Sequence, residues 1–144
     1  MPNTPASIGQ GASVLFANKN ADLEDKNNAS LLLDVCGDTL WVENEEDMHA
    51  VTALSGSGPA YVFHMIEAMA QAGEGLGLSS DVAMKLARKT VEGSAMLSAE
   101  TPDVSPAILR ENVTSPQGTT WAGLNVLMHE NEGLPRLMQK TLEA

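Results

Sequence analysis

At 144 residues, with 19 acidic and 8 basic side chains and a formal charge of −11, the chain has room for one domain, or a small domain plus a piece of another. Nine acids oppose two bases up to residue 60 and ten oppose six beyond it, so neither part offers a basic surface and no nucleic-acid partner is expected; solvated acidic surface is the plain reading. Cys36 is the only cysteine, so no disulfide forms within the chain, and no apolar run is long enough to span a bilayer; a cytoplasmic protein with no membrane partner is the expectation.

Apolar residues make up 43% of the chain but aromatic ones only 3%. Leu, Ala, Val and the eight Met must therefore fill any core, which suits helices packed closely through small residues.

Met1-Pro2-Asn3-Thr4-Pro5-Ala6 is turn chemistry with no element before it. Residues 12–17 (ASVLFA) predict a short strand. Residues 21–35 predict a helix, with Asp22 near its start and Gly37 able to end it. The alternation in 38–43 (DTLWVE) predicts a second strand. Strand, helix and strand of this length form one right-handed crossover of a parallel sheet. One such unit cannot cover both sheet faces, so residues 1–47 are expected to be a remnant of a larger α/β domain.

Residues 48–144 carry no strand pattern and predict an all-helical domain. Acids at Glu45-Glu46-Asp47 suit a helix N-terminus, and a short helix follows over 47–54. The organising stretch is Ser55-Gly56-Ser57-Gly58-Pro59, read as a hinge and helix cap, with the cradling of a phosphate as the alternative. The helix it starts, 59–76, is apolar round most of its circumference; His64, Glu67, Gln71 and Glu74 form one narrow polar stripe. Such a helix is buried by other helices or by a second subunit. Ser80 or Asp81 caps a helix to Ala99, with Val82, Ala83, Leu86, Ala87, Val91, Ala95 and Met96 at helical spacing. Ser105-Pro106 starts another to Asn112, Ser115-Pro116 a further one carrying Leu124, Leu127 and Met128, and 134–142 closes the chain.

The stretch Thr114-Ser115-Pro116-Gln117-Gly118-Thr119-Thr120 has unpaired N–H groups at a helix start, a glycine that admits a ligand to the backbone, and several hydroxyls. It suits a carboxylate or phosphate, or it is an ordinary Ser-Pro helix start. His49, His64 and His129 lack the spacing of a metal site, and Cys36 reads as a buried, inert thiol.

Three motifs together, MPNTPA at 1–6, AVTALSGSGPAY at 50–61 and LRENVTSPQGTT at 109–120, resemble the pyrroline-5-carboxylate reductase family in sequence, order and separation. The resemblance covers essentially the whole chain. It implies reduction of 1-pyrroline-5-carboxylate to L-proline with NADPH or NADH, a Rossmann-type cofactor domain, and a helical domain that forms an intertwined homodimer, with larger rings possible. On this likeness residues 1–47 match the last crossover of the cofactor domain and 48–144 the dimerisation and substrate-binding domain. The fold expected is mainly α, a helical dimerisation domain behind a residual β-α-β piece.

The family's glycine-rich fingerprint has no counterpart here, so no tightly bound cofactor and no turnover by the isolated chain are expected. A non-catalytic oligomerisation module of the same descent is the alternative. Carried over residue by residue, Thr120 matches the catalytic threonine whose hydroxyl faces the ring nitrogen. Ser115, Gly118, Thr119 and Thr120 match the carboxylate site, with Glu46 and Glu100 as acids on the substrate side. Asn3, Pro5 and Asn112 match residues near the nicotinamide. Gln117 stands where the family usually has glycine.

Overall fold

The computed structural model describes residues 1–144, in a mainly helical chain with one two-stranded parallel sheet. Its packing divides it into two compact units, Met1–Phe63 and His64–Ala144.

In the first unit Asn3 is extended (φ −119, ψ 169) and leads into a 3-10 turn, Thr4–Ile8, with Pro5 in its first turn and Gly9 at φ 70 ending it. Strand β1 (Gly11–Phe16), helix α1 (Leu23–Leu33) and strand β2 (Gly37–Val42) follow. The strands pair in parallel from Gly11 opposite Gly37 to Phe16 opposite Val42, so the predicted crossover unit is present. Gly37 sits at φ 132, and a Cβ there would collide with the backbone of Gly11. Two glycines face each other because the sheet begins where the backbones crowd. On the other edge of β1, the Met1 amino group donates to Val14 O at 2.8 Å and Val14 N–H donates to Met1 O at 2.9 Å.

Helix α1 is shorter than its sequence pattern suggests. Asp22 accepts from Asp25 N–H at 2.9 Å while Asp25 accepts from Asp22 N–H at 3.2 Å. This reciprocal cap fixes the start two residues beyond Ala21. The last turn tightens into a 3-10 segment, Asp34–Cys36, ahead of Gly37. Cys36 is half-buried rather than enclosed. Leu31, Leu32 and Val35 are exposed, so this helix buries no apolar face in the unit. Ser13 and Val14 are buried at the middle of β1, and neighbouring strand residues face opposite sides of a sheet.

The stretch predicted as a hinge is helical. Helix α2 (Asp47–Val51) passes into a π turn, Thr52–Gly56, closed by Ser57 N–H donating to Thr52 O at 2.8 Å. Helix α3 (Gly58–Gly75) starts directly after it. The one extra residue is absorbed by a wide turn instead of a loop.

In the second unit Leu78 N–H donates back to Gly73 O at 3.2 Å and Gly77 takes φ 99, which ends α3. Helix α4 (Ser80–Glu100) then packs against it. The seam is made of small residues: Ala70, Ala83 and Ala87 are buried, flanked by Ile66 and Met84. A Cβ on Gly73 would lie 3.3 Å from that of Ala83, so the helices approach as closely as glycine and alanine allow. Other residues predicted to face a core do not: Leu86 is 53% exposed and Met96 60%. Helices α5 (Pro106–Asn112), α6 (Thr119–Leu127) and α7 (Leu134–Glu143) bury no residue at all. Ordering a backbone costs about 1–2 kcal/mol per residue, whereas a fully buried large apolar side chain returns about 1.5–3 kcal/mol. Three alanines cannot offset that cost, and the apolar faces left open call for further burial. No helix is long and apolar enough to cross a membrane.

Candidate functional site at the start of the sixth helix

Ser115-Pro116 does not start a helix; it starts a turn. Gly118 N–H donates to Ser115 O at 3.1 Å, and Gln117 between them has φ 57. Proline fixes φ near −65°, and a positive φ at the next residue makes this a type II turn. Gln117 is the one non-glycine residue of the chain at positive φ. The helix begins three residues later than the Ser-Pro pair suggests, at Thr119, with Gly118 extended as its cap (φ −78, ψ 176).

That cap has no side chain to offer, and none bonds to the helix start. The first helical bond runs from Ala122 N–H to Gly118 O at 3.1 Å, which leaves the N–H groups of Thr119, Thr120 and Trp121 without a partner inside the helix. A Cβ on Gly118 would collide with the Ser115 hydroxyl, so glycine keeps this hydroxyl against the cap. Free donors and the positive end of the helix dipole suit an anionic oxygen. Thr119 and Thr120 are exposed on the first turn.

The approach to the turn is held by Thr114, whose hydroxyl donates to Arg110 O at 2.6 Å and whose N–H donates to Glu111 O at 2.9 Å. Asn112, at the end of α5, is exposed. The structure thus gathers Asn112, Ser115, Gly118, Thr119 and Thr120 into one short stretch of the second unit. Glu100 is apart from them in sequence, the exposed last residue of α4.

The remaining predicted residues belong to the first unit. In the acidic cluster, Asp47 accepts from Asn44 Nδ2 at 3.3 Å, while Glu46 is exposed just ahead of α2. Pro5 is half-buried in the 3-10 turn. Asn3 is engaged twice: its Oδ1 accepts from Ala12 N–H at 2.9 Å, and its Nδ2 donates to Ser55 Oγ at 3.3 Å. Ser55 escaped the sequence reading as a partner of Asn3, because only the pairing across the fold reveals it. A separate open hollow beside Ala17, Lys26, Trp41, Val42 and Glu43 contains none of the predicted residues. There Lys26 Nζ lies 5.7 Å from the centre of the Trp41 ring.

The chain is thus a two-stranded parallel crossover followed by helices with exposed apolar faces, one of which begins with N–H groups free of helical partners. Residues 45–144 match the family model for pyrroline-5-carboxylate reductase dimerisation, and the chain belongs to that family. It is 44% identical over 144 residues to the pyrroline-5-carboxylate reductase of Pseudomonas aeruginosa, covering 100% of this chain and 52% of that protein. To the Glycine max enzyme of the same name it is 44% identical over 133 residues, 92% of this chain and 47% of that one. The pyrroline-5-carboxylate reductase structure from Coxiella burnetii superimposes with a TM-score of 0.92 at 43% identity, over 99% of this chain and 52% of that chain. The Plasmodium falciparum pyrroline carboxylate reductase, solved with NADP bound, gives a TM-score of 0.86 at 34% identity, over 99% and 56%. The chain therefore spans about half the length of the relatives it matches.

Proposed function

We propose that this chain is the dimerising and substrate-binding part of a pyrroline-5-carboxylate reductase, an enzyme that reduces 1-pyrroline-5-carboxylate to L-proline with NADPH or NADH in the last step of proline biosynthesis in the cytoplasm. In this reading residues 1–47 complete the cofactor domain, and 48–144 bind substrate and pair with a second copy in an intertwined homodimer or a larger ring. The observation that carries the reading is the open N-terminus of α6, where three free N–H groups, a glycine cap and the Thr120 hydroxyl lie together.

The substrate has a carboxylate next to a C=N bond. The N–H groups of Thr119 and Thr120, with the Ser115 hydroxyl, bind the carboxylate and set the ring's orientation. The Thr120 hydroxyl donates to the ring nitrogen. The nicotinamide, when bound, supplies a hydride to the imine carbon. The C=N π pair becomes a lone pair on nitrogen, which takes a proton, and a hydroxyl placed at that nitrogen serves every form: it donates to the lone pair of the neutral imine or amine and accepts from the N–H of the protonated ones. Glu46 and Glu100 are the acids on the substrate side.

The residues present fit one end of the cofactor. Asn3, Pro5 and Asn112 serve its nicotinamide: an asparagine has two N–H donors, and Asn3 spends one on Ser55. No glycine-rich strand-to-helix turn for the phosphates occurs in the chain, so this chain alone is expected to hold no tightly bound cofactor and to turn over no substrate. The same exposed helix faces support a second reading, an oligomerisation module without catalysis.

Calorimetric titration with L-proline separates the two. The enzyme reading expects binding that Thr120→Val weakens about tenfold or more, the loss of one or two hydrogen bonds to a charged ligand. A dimer that binds no proline sinks it and leaves the module. Turnover of NADPH with 1-pyrroline-5-carboxylate, absent in a Thr120→Ala control, would instead mean that this chain holds a whole cofactor.

A further inference from the structure

The π turn aims one hydroxyl at one carboxamide. A single extra residue in a helix rotates everything after it by about 100°, and wide turns of this kind recur at functional sites. Here the turn Thr52–Gly56 carries Ser55, whose Oγ accepts from Asn3 Nδ2 at 3.3 Å. The Thr52 hydroxyl donates to Met48 O at 2.7 Å and Ser57 N–H donates to Thr52 O at 2.8 Å, so the turn is tied on both sides of Ser55. At the other end of the carboxamide, Ala12 N–H, a backbone donor of β1, can meet only the oxygen, at 2.9 Å. The orientation of the amide is therefore set by chemistry: oxygen to the strand, nitrogen to Ser55. Both residues are half-buried, where a hydrogen bond is strengthened by reduced competition from water.

We propose that Ser55 is a positioning residue for Asn3: the π turn holds its hydroxyl where it fixes the Asn3 carboxamide between strand and helix, with one Nδ2–H left free for an acceptor oxygen. Resting on the reading of Asn3 as a nicotinamide contact, that acceptor is the carboxamide oxygen of the nicotinamide. Ser55 does not touch the ligand; it acts by denying Asn3 its flipped and rotated states. Proline or glycine at 55 would lose this, whereas threonine keeps the hydroxyl.

The test uses the full chain, with reduced nicotinamide mononucleotide as the probe, and compares wild type, Ser55→Ala and Ser55→Thr. The side-chain NH2 signals of Asn3 are followed by NMR, and thermal melting checks the fold. In Ser55→Ala the Asn3 NH2 protons are expected to exchange about fivefold faster and the probe to bind about fivefold more weakly, the worth of one ordinary hydrogen bond. Ser55→Thr restores both, and the Ala12 backbone amide stays in place. If Ser55→Ala does not fold, Ser55→Cys, a near-isostere with a poor acceptor, carries the same readout. Unchanged Asn3 signals and unchanged probe affinity in the folded variant overturn the proposal. If Asn3 responds to the substitutions but wild type never binds the probe, Ser55 stands as the positioning residue and the nicotinamide reading of Asn3 falls.

Discussion

Replacing Gln117 by glycine is expected to stabilise the protein. Gln117 has φ 57 in the turn Ser115–Gly118, and its side chain is exposed, so no buried contact is lost with it. A side chain in the left-handed region costs about 1–2 kcal/mol, from the crowding of Cβ against the following carbonyl. Glycine removes that cost but gains freedom in the unfolded chain worth about 0.5–1 kcal/mol against folding. The difference favours Gln117→Gly by about 0.5–1 kcal/mol, or about 2–4 °C in melting temperature for a chain of this size. Gln117→Val should move the other way by about 1–2 kcal/mol, because a β-branched residue tolerates positive φ least. Thermal and urea melts at one fixed protein concentration measure both. If glycine melts at or below wild type while valine matches it, the turn does not hold residue 117 left-handed and the geometry of the α6 start is wrong. The effect on proline affinity is expected to be small, since the substitution leaves the Thr119 and Thr120 donors in place.

Further predictions follow the same local logic. Gly118→Ala meets the Ser115 hydroxyl, the end of an exposed side chain that can rotate away, so it should cost only about 0.5 kcal/mol, and Ser115→Ala in the same chain should recover part of it, as a double-mutant cycle in urea would show. Asp22→Ala removes the capping box of α1 and should cost about 1 kcal/mol in the same assay. Gly37→Ala forces a Cβ into Gly11 at φ 132 and should abolish the near-UV signal of Trp41 by unpairing β2. With most apolar helix faces open, the melting temperature should rise with protein concentration, and light scattering should give twice the chain mass; a concentration-independent monomer would refute the dimer.

The local signals that could be read from sequence were those that do not depend on distant partners. Alternation over residues 38–43 gave β2, and Asp22 marked the start of α1 to within two residues. Ser105-Pro106 did open α5, with Ser105 Oγ accepting from Ile108 N–H at 3.4 Å. Ser115-Pro116 looks the same and behaves differently, because proline suits the second position of a type II turn as well as the first turn of a helix. Glutamine is not a residue that announces a positive φ, so the turn stayed hidden. The π turn was hidden for another reason: Ser-Gly-Ser-Gly carries loop composition, and a bond that spans five residues is a choice made in the folded chain, where Asn3 waits for Ser55. Periodicity grouped the apolar residues of α3 and α4, but within the chain only Ala70, Ala83 and Ala87 of them are buried, while Leu86 and Met96 are exposed. Of the candidate site, the Thr114–Thr120 stretch was legible as chemistry, and reading residues 1–47 as a separate domain already set Asn3, Pro5 and Glu46 apart from it; the hydrogen bond between Asn3 and Ser55 was not legible.

The alanine seam between α3 and α4 has a consequence for how the molecule comes into being. A hairpin held by three alanines with only Ile66 and Met84 beside them is easily reopened, so, if the proposed dimer forms, a newly made chain would reach this form and leave it many times before a second copy covers the exposed faces. On the dimer proposal, folding of the helical unit is then a collision-limited event. Its half-time lengthens as the protein is diluted, and sparsely expressed chains spend their early life open to proteases. Lining the seam with larger side chains would not relieve this, since Gly73 and Ala83 leave them no room. On that proposal, the same narrowness that lets two helices lie so close would make each chain depend on how soon it meets another.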